Sequence, residues 1–208
     1  MIKNIVFDLD NVMLDMHSEP LLRRMGAPEE HVPLLADAVF GGAEWAALCR
    51  GDLDMEDALQ LMYLRLPSRL WSWAGVALSD WWKYPLSAVP GMGELAEELK
   101  AAGLGIYMLA DADRSLRKYF FRIPGARAFD GVFVSADWKL SKPEPEIYEL
   151  FLERFGLTAA ECLLIDDKSE NVDGALYAGM SALLFDGDAG SLRSALIAAG
   201  VLTPREEP

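Results

Sequence analysis

Short apolar runs alternate along much of the chain with stretches that carry apolar residues at helical spacing. A continuous apolar run of this length suits a strand that is buried on both faces of a sheet. The runs are 5–7, 104–109, 131–134, 162–165 and 181–185. They are followed by Asp8, Ala110-Asp111, Ser135, Asp166-Asp167 and Asp186. The pattern predicts five strands, several of which end in an acidic or polar residue.

The segments between the later runs are predicted to be helices. Segments 90–102, 145–155 and 171–178 place apolar residues on one face, and a glycine follows each of them, as is common where a helix ends. Strands that alternate with helices predict right-handed crossovers and a parallel sheet covered on both faces. Ligands bind beyond the carboxyl ends of such strands, so the residues that end the runs are expected to converge.

Residues 17–89 break this alternation. They are rich in Leu, Ala, Met and Trp, and the segments 21–25, 32–40, 55–66 and 70–84 are predicted to be helical. We interpret the region as a helical insert after the first strand. Its tryptophans have two interpretations, because they could line a pocket or supply the large side chains that a small helical unit needs for a core. They are Trp45, Trp71, Trp73, Trp81 and Trp82.

Charge narrows the range of partners. The 208 residues include 19 basic and 33 acidic side chains, for a formal net charge of −14. A surface this acidic repels nucleic acid and anionic lipid, so neither nucleic acid nor a membrane is expected as a partner. It also repels a phosphate ester. A site for such a ligand must therefore supply its own positive charge from a metal, a lysine or backbone N–H groups.

The two cysteines, Cys49 and Cys162, are far apart in the sequence. Two cysteines do not make a disulfide framework, and a reducing compartment suits them better. The N-terminus has no basic segment followed by an apolar one, so no signal peptide is expected. No apolar run approaches the length of a membrane span. We therefore expect a cytoplasmic protein, and the sequence gives no indication of its oligomeric state.

Two carboxylates, Asp8 and Asp10, follow the first predicted strand. At positions i and i+2 of the turn after a buried strand, both can project into the crevice. Phosphoryl transfer needs a nucleophile that faces phosphorus and an acid near the leaving oxygen, and Asp8 and Asp10 suit these roles in that order. Asn11 tolerates the positive φ that a sharp turn requires. The alternative is a pair of solvated turn aspartates.

Two further motifs carry charge. Lys142 lies between a serine and two prolines in the segment 141–145, and a stiff loop can hold a lysine at a fixed distance from an anion. Asp166 and Asp167 end the fourth strand, where adjacent carboxylates and a hard cation such as Mg²⁺ suit one another. Each motif also has a simpler interpretation. Lys142 could be an ordinary surface lysine, and the acidic pair could merely favour a helix N-terminus.

Taken together, the motifs resemble those of the haloacid dehalogenase superfamily of aspartate-nucleophile hydrolases, in the subclass with a helical cap. The specific parts are the segments 7–12, 141–148 and 165–171. Segments 8–12 and 166–171, together with Arg50-Gly51-Asp52-Leu53, are especially similar to the sugar-phosphate (α-D-glucose-1-phosphate) phosphatase branch. The resemblance implies an α/β fold, a Rossmann-like parallel sheet with helices on both faces and an inserted helical cap. The core would comprise 1–16 and 90–208, and the cap 17–89.

The resemblance also implies roles for individual residues. Asp8 would form an aspartyl-phosphate, and Asp10 would protonate the leaving group and then activate water. Mg²⁺ would be bound by Asp8, by the backbone carbonyl of Asp10 and by Asp167, with Asp166 nearby and acting through water. Lys142 would neutralise the phosphate and Asp8. The cap would enclose the substrate and set specificity.

One position departs from the family pattern. The second strand should end in Ser or Thr followed by Asn, and these positions bind phosphate, yet here they are Ala110 and Asp111. Ala110 has no hydroxyl to donate, and a charge-assisted hydrogen bond is worth about 1.5–3 kcal/mol. Asp111 places a carboxylate near the phosphate. It is expected to turn away or to pair with a cation such as Arg114.

Three functions follow from these observations. The first is a magnesium-dependent phosphatase that acts on a small-molecule phosphate ester, such as a sugar phosphate. The second is a phospho-ligand binding protein with a weakened site, which Ala110 and Asp111 would explain. The third is a dehalogenase of the same fold. Dehalogenation needs no metal and its family lacks the second aspartate, so Asp10 and the Asp166-Asp167 pair argue against it.

Overall fold

The computed structural model describes residues 1–204 as a five-stranded sheet with helices before, between and after the strands. All the paired strands are parallel, and their order in the sheet is β3-β2-β1-β4-β5. The parallel α/β sheet predicted from the apolar runs is confirmed. The strands are β1 (Asn4–Phe7), β2 (Gly105–Ala110), β3 (Gly131–Val134), β4 (Cys162–Asp166) and β5 (Ser181–Leu184).

The central strand β1 is buried on both faces, as its apolar sequence requires, with Ile5, Val6 and Phe7 all fully buried. Its residues pair with β2 on one side and with β4 on the other, so that Phe7 lies beside Met108 and Ile165. This register brings the ends of β1, β2 and β4 to one edge. The strand β5 is different, because it lies at the edge of the sheet and leaves Leu184 exposed.

Helices occupy the whole region between β1 and β2, as predicted for the insert. The helices of the described residues are α1 (Ser18–Arg24), α2 (Val32–Phe40), α3 (Ala43–Arg50), α4 (Met55–Tyr63), α5 (Trp71–Asp80), α6 (Met92–Ala101), α7 (Leu116–Tyr119), α8 (Pro145–Phe155), α9 (Ser169–Tyr177) and α10 (Ala189–Ala198). Three of them, α3, α7 and α10, are absent from the sequence prediction. One predicted helix, 55–66, was too long, because α4 ends at Tyr63. The predicted helical segment 70–84 contains α5 and a short 3-10 helix, Trp81–Lys83, that follows it directly.

Helix α3, which the sequence prediction missed, is followed by a glycine whose backbone conformation and missing side chain are both required. Gly51 follows the helix with a φ of 88°, the left-handed conformation that glycine adopts without strain. A Cβ at this position would lie 2.3 Å from the carbonyl oxygen of Ala136. The C-terminal end of α3 can therefore lie directly against the segment that follows β3.

Apolar side chains form two clusters on opposite faces of the sheet. One joins the sheet to the helical insert and includes Phe7 and Trp81, and the other lies beneath α8 and includes Val6 and Phe151. One cluster is continuous from the sheet into the insert, so apolar packing does not separate the two. The division into core and cap therefore stays a prediction. In residues 1–204 no single helix has the length and apolarity to cross a membrane, although the bent pair Glu29–Phe40 and Ala43–Arg50 passes by length and composition.

Candidate active site

A lysine and two carboxylates form a buried network at the carboxyl edge of the sheet. The Nζ of Lys142 lies 2.6 Å from Oδ1 of Asp8, which follows β1, and 2.6 Å from Oδ2 of Asp166, which ends β4. The side chains of Lys142 and Asp166 have no exposed area, and that of Asp8 has 4%. An isolated charge buried in this way is very costly. Lys142 is therefore no surface residue, and its charge is neutralised by the two aspartates.

Asp166 has a hydrogen-bond partner on each of its oxygens. Oδ2 accepts from Lys142, while Oδ1 accepts from the backbone N–H of Lys168 at 3.0 Å and from Nδ2 of Asn171 at 2.9 Å. Asn171 is buried in the first turn of α9. Asp166 thus holds Lys142 in place beside Asp8.

Asp167, in contrast, has an oxygen with no partner. Its Oδ2 accepts a hydrogen bond from Nδ2 of Asn11 at 3.2 Å, but its Oδ1 is the one buried side-chain polar atom of residues 1–204 without any partner. Asn11 has a φ of 57°, which confirms the positive φ predicted for this turn. A buried oxygen without a donor is costly unless a cation lies beside it.

Carboxylate oxygens of Asp8, Asp166 and Asp167 lie within 4.8 Å of one another and could hold a metal ion. Carboxylate oxygens suit Mg²⁺ or Ca²⁺. The unpartnered Oδ1 of Asp167 gives an independent reason for a cation at this place. The residues present therefore fit the metal that the sequence motifs imply. The side chain of Asp10 is not in this cluster, which is compatible with the role expected for its backbone carbonyl.

Burial changes the protonation of the two candidate catalytic carboxyls. It raises the pKa of Asp10 to about 6, although the positive charges of Lys168 and Lys142 oppose this. It also raises the pKa of Asp8, and the charge of Lys142, 2.6 Å from Oδ1 of Asp8, opposes this. Burial alone would lower the pKa of Lys142, but Asp8 and Asp166 offset this and raise it. Asp10 is thus suited to give up and take back a proton near neutral pH.

At the end of β2, Ala110 is fully buried and Asp111 lines the cleft. Oδ1 of Asp111 accepts a hydrogen bond from the backbone N–H of Lys142 at 3.1 Å. Burial raises the pKa of Asp111, and the charge of Lys142 opposes that effect. Asp111 was expected to turn away or to pair with a cation such as Arg114, and Arg114 is not its partner. Arg114 instead donates to the carbonyl of Ala136 and lies 3.6 Å from Asp137.

A cleft of about 480 Å³ opens beside these residues. One wall is the carboxyl edge of the sheet, with Asp10, Asp111, Lys142 and Lys168, and the other is α3 with the segment that follows it. The sequence analysis named Trp45 as a possible pocket residue and Arg50 to Leu53 as a motif, but it did not predict that α3 forms this second wall. Its members are Trp45, Ala46, Ala47, Cys49, Arg50 and Asp52.

Arg50 joins the insert to the core across the cleft. Its guanidinium pairs with the carboxylate of Glu144 through both terminal nitrogens, and it donates to Oγ of Ser141 at 3.0 Å. Ser141 and Glu144 flank Lys142 in the same loop. The helix that closes the cleft is thus tied to the loop that carries the buried lysine.

The arrangement can perform phosphoryl transfer, because it combines a candidate nucleophile, an acid with a raised pKa and a fixed positive charge. A family model described as haloacid dehalogenase-like hydrolase matches residues 2–179. The chain belongs to the haloacid dehalogenase-like hydrolase family, which confirms the resemblance seen in the sequence motifs.

Individual relatives include phosphatases and a dehalogenase. The chain is 36% identical to sesquiterpene phosphatase astK of Aspergillus oryzae over 44% of this chain and 47% of the relative, so it spans about half of that protein's length. It is 25% identical to a phosphorylated carbohydrates phosphatase of Thermotoga maritima over 86% of this chain and 82% of the relative. A crystal structure of a dehalogenase with an intermediate shares the fold, with a TM-score of 0.70 and 20% identity over 89% of this chain and 85% of that one.

Proposed function

We propose that the protein is a magnesium-dependent phosphoric monoester hydrolase that forms an aspartyl-phosphate on Asp8. The observation that carries this proposal is the buried Asp8–Lys142–Asp166 network beside the unpartnered oxygen of Asp167. Phosphoryl transfer requires a nucleophilic carboxylate, a positive charge held in place and an oxygen that can bind a hard metal ion.

The chain's own residues can carry both steps of the reaction. Asp8 attacks phosphorus, and the bond from phosphorus to the ester oxygen breaks while Asp10 gives that oxygen its proton. Asp10 is then a carboxylate that takes a proton from water, and this water attacks the phosphorus of the aspartyl-phosphate. The bond from phosphorus to Asp8 breaks, inorganic phosphate leaves, and Asp8 and protonated Asp10 are restored.

Lys142 and the acidic cluster supply the electrostatics. Lys142, already beside Asp8, offsets the negative charge that phosphate brings into the cleft. Asp8, the backbone carbonyl of Asp10 and Asp167 would hold Mg²⁺, with Asp166 acting through water, and the ion would supply a compact divalent charge beside the phosphate.

The substrate we propose is a small phosphate ester, and within that class a sugar phosphate. The sequence motifs at 8–12, 50–53 and 165–171 support this, as does the relative from Thermotoga maritima that is named for phosphorylated carbohydrates. The insert, as a cap of residues 17–89, would enclose the leaving group between α3 and the carboxyl edge of the sheet. A cytoplasmic setting remains part of the proposal.

Two other functions remain to be separated from this one. A dehalogenase shares the fold, but Asp10 and the oxygen cluster of Asp8, Asp166 and Asp167 favour metal-dependent phosphate chemistry. A phospho-ligand binding protein is favoured by Ala110, which leaves the phosphate site without a hydroxyl at β2.

A panel of phosphorylated metabolites and 2-haloacids, assayed with Mg²⁺ and with EDTA, separates the three. The expected result is release of phosphate from at least one ester with Mg²⁺ only, lost in Asp8→Asn. Halide release that persists in EDTA would favour the dehalogenase. Binding of phosphate esters without turnover across the panel would favour the binding protein.

A further inference from the structure

Three basic side chains line the cleft, and two of them are already paired. Lys142 contacts Asp8 and Asp166, and Arg50 contacts Asp52 and Glu144. Lys168 is the third, and within residues 1–204 no carboxylate lies within ion-pair distance of its Nζ. A cationic side chain that faces an anion-binding cleft without a partner is available to the ligand.

The backbone places Lys168 close to the reacting groups. It directly follows Asp166 and Asp167, and its N–H donates to Oδ1 of Asp166 at 3.0 Å. Its side chain lines the same cleft as Asp10 and Asp111 and is accessible to solvent. The start of the side chain is thus fixed at the carboxyl edge of the sheet, while its ammonium group is free to move toward a ligand.

Three other donors near the end of β2 already have hydrogen-bond partners. The Ser135 hydroxyl, which follows the neighbouring strand, donates to the carbonyl of Cys49 at 2.6 Å and accepts from the N–H of Ala112 at 2.9 Å. The N–H of Lys142 donates to Asp111. The Ser135 hydroxyl and the N–H groups of Ala112 and Lys142 could replace the hydroxyl that is absent at Ala110 only by breaking an existing hydrogen bond.

We propose that the ammonium group of Lys168 binds a non-bridging oxygen of the substrate phosphate, in place of the hydroxyl that Ala110 lacks. The inference rests on the proposed phosphatase function and assigns a phosphate-binding residue to it. Its positive charge, in the same cleft as Asp10 and Asp111, would also reduce the repulsion between the phosphate and these two carboxylates.

If Lys168 and a hydroxyl at position 110 serve the same phosphate group, their effects are coupled. Two independent sites give additive free energies, whereas two groups that act on one ligand atom do not. Loss of the ammonium should therefore reduce phosphate affinity and kcat/KM strongly when residue 110 is alanine, and much less when a serine supplies a hydroxyl there.

The test is a double-mutant cycle of Lys168→Met and Ala110→Ser, with Lys168→Arg as the charge-retaining variant. A matched control is Lys3→Met, at the opposite end of β1. Two quantities are measured with Mg²⁺ present: kcat/KM on an active ester, and the affinity for inorganic phosphate by calorimetry. The phosphate measurement does not require turnover.

Lys168→Met is expected to weaken both quantities by about 10- to 100-fold, the range of one charge-assisted hydrogen bond. In the Ala110→Ser background the same change should cost less than about 5-fold. Lys168→Arg should retain most of the affinity, and Lys3→Met should match the wild type.

The inference is overturned if Lys168→Met leaves phosphate affinity and kcat/KM unchanged, or if its cost is the same in both backgrounds. Failure of the proposed function looks different. In that case the wild type turns over no ester, yet the calorimetric cycle still reports whether Lys168 binds phosphate.

Discussion

On the β1–β4 side of the carboxyl edge, Lys142 lies 2.6 Å from both Asp8 and Asp166, and Asp166 has a partner on each oxygen. On the β2 side, Ala110 has no polar side chain and Asp111 is held by one backbone N–H of Lys142. The first side is a complete, buried ionic network. The second has lost a side-chain donor and gained a negative charge.

The difference separates two requirements of phosphoryl transfer. In the proposed mechanism, the β1–β4 side supplies what the covalent step needs, namely Asp8 as the nucleophile and Lys142 as its neutralising cation. The β2 side would bind the phosphate and offers it no side-chain donor. Breaking a buried ion pair costs about 3–5 kcal/mol, whereas one charge-assisted hydrogen bond is worth about 1.5–3 kcal/mol. Changes on the first side should therefore have the larger effects.

Asp8→Asn should have the largest effect. An amide is no nucleophile, so turnover should fall by more than about 10³-fold, while the fold should persist because Lys142 keeps Asp166 as a partner. Phosphate release and circular dichroism measure the two outcomes. Beryllium fluoride should attach to Asp8 in the wild type. Asp37→Asn, at an exposed position of α2, is the control, and near-normal turnover in Asp8→Asn would refute the mechanism.

Lys142→Met should affect both activity and stability. It leaves Asp8 and Asp166 buried without their cation, so the free energy of unfolding should fall by about 3–5 kcal/mol and turnover by roughly 10²-fold. Urea unfolding and phosphate release measure these. Lys142→Arg keeps the charge and should retain part of the activity. Equal activity of the Met and Arg variants would show that charge is not what Lys142 contributes.

Ala110→Ser should strengthen the weaker side. A hydroxyl at the end of β2 can donate to a phosphate oxygen, so turnover should rise by about tenfold. Asp111→Asn should add to the gain, because an amide oxygen can still accept from the N–H of Lys142 while the negative charge is removed. Steady-state kinetics measure both, with Ala182→Ser on β5 as the strand control. Flat turnover in both variants would show that phosphate is already held by other groups.

The smallest expected effect is the change of thermal stability with pH. Folding raises the pKa of Asp10 to about 6, above the ordinary value near 4. A raised pKa favours the neutral form in the folded state. The resulting stability is complete below pH ~4 and is lost as pH rises through 6.

In EDTA the Tm should therefore be roughly 5 °C lower at pH 8 than at pH 5. Mg²⁺ should raise the Tm more at pH 8, because metal ligands must be deprotonated. Scanning calorimetry at the two pH values measures both trends. Asp10→Asn should flatten the slope in EDTA, and a Tm that rises with pH in the metal-free protein would contradict this account.

Much of the fold follows from local pattern. Continuous apolar runs predicted β1 to β5. Burial on both faces explains such a run for β1 and β4, whereas β5 is a partly exposed edge strand. The convergence of Asp8 and Asp166 followed from parallel strands whose carboxyl ends share an edge. Helix α3 could have been predicted too, since Gly51 follows a helix-favouring segment, but its eight residues are too few to establish a periodicity from the sequence.

The sequence alone thus determined the sheet, the helical insert and the residue types available for chemistry at the carboxyl edge. Only the tertiary structure decided their partners. Lys142 became a fully buried cation, Asp167 kept an oxygen without a donor, and Asp111 accepted from a backbone N–H instead of pairing with Arg114. These outcomes depend on burial and on distances between residues far apart in the chain. Hydrogen-bond and ionic partners are chosen by such distances, which local periodicity does not encode.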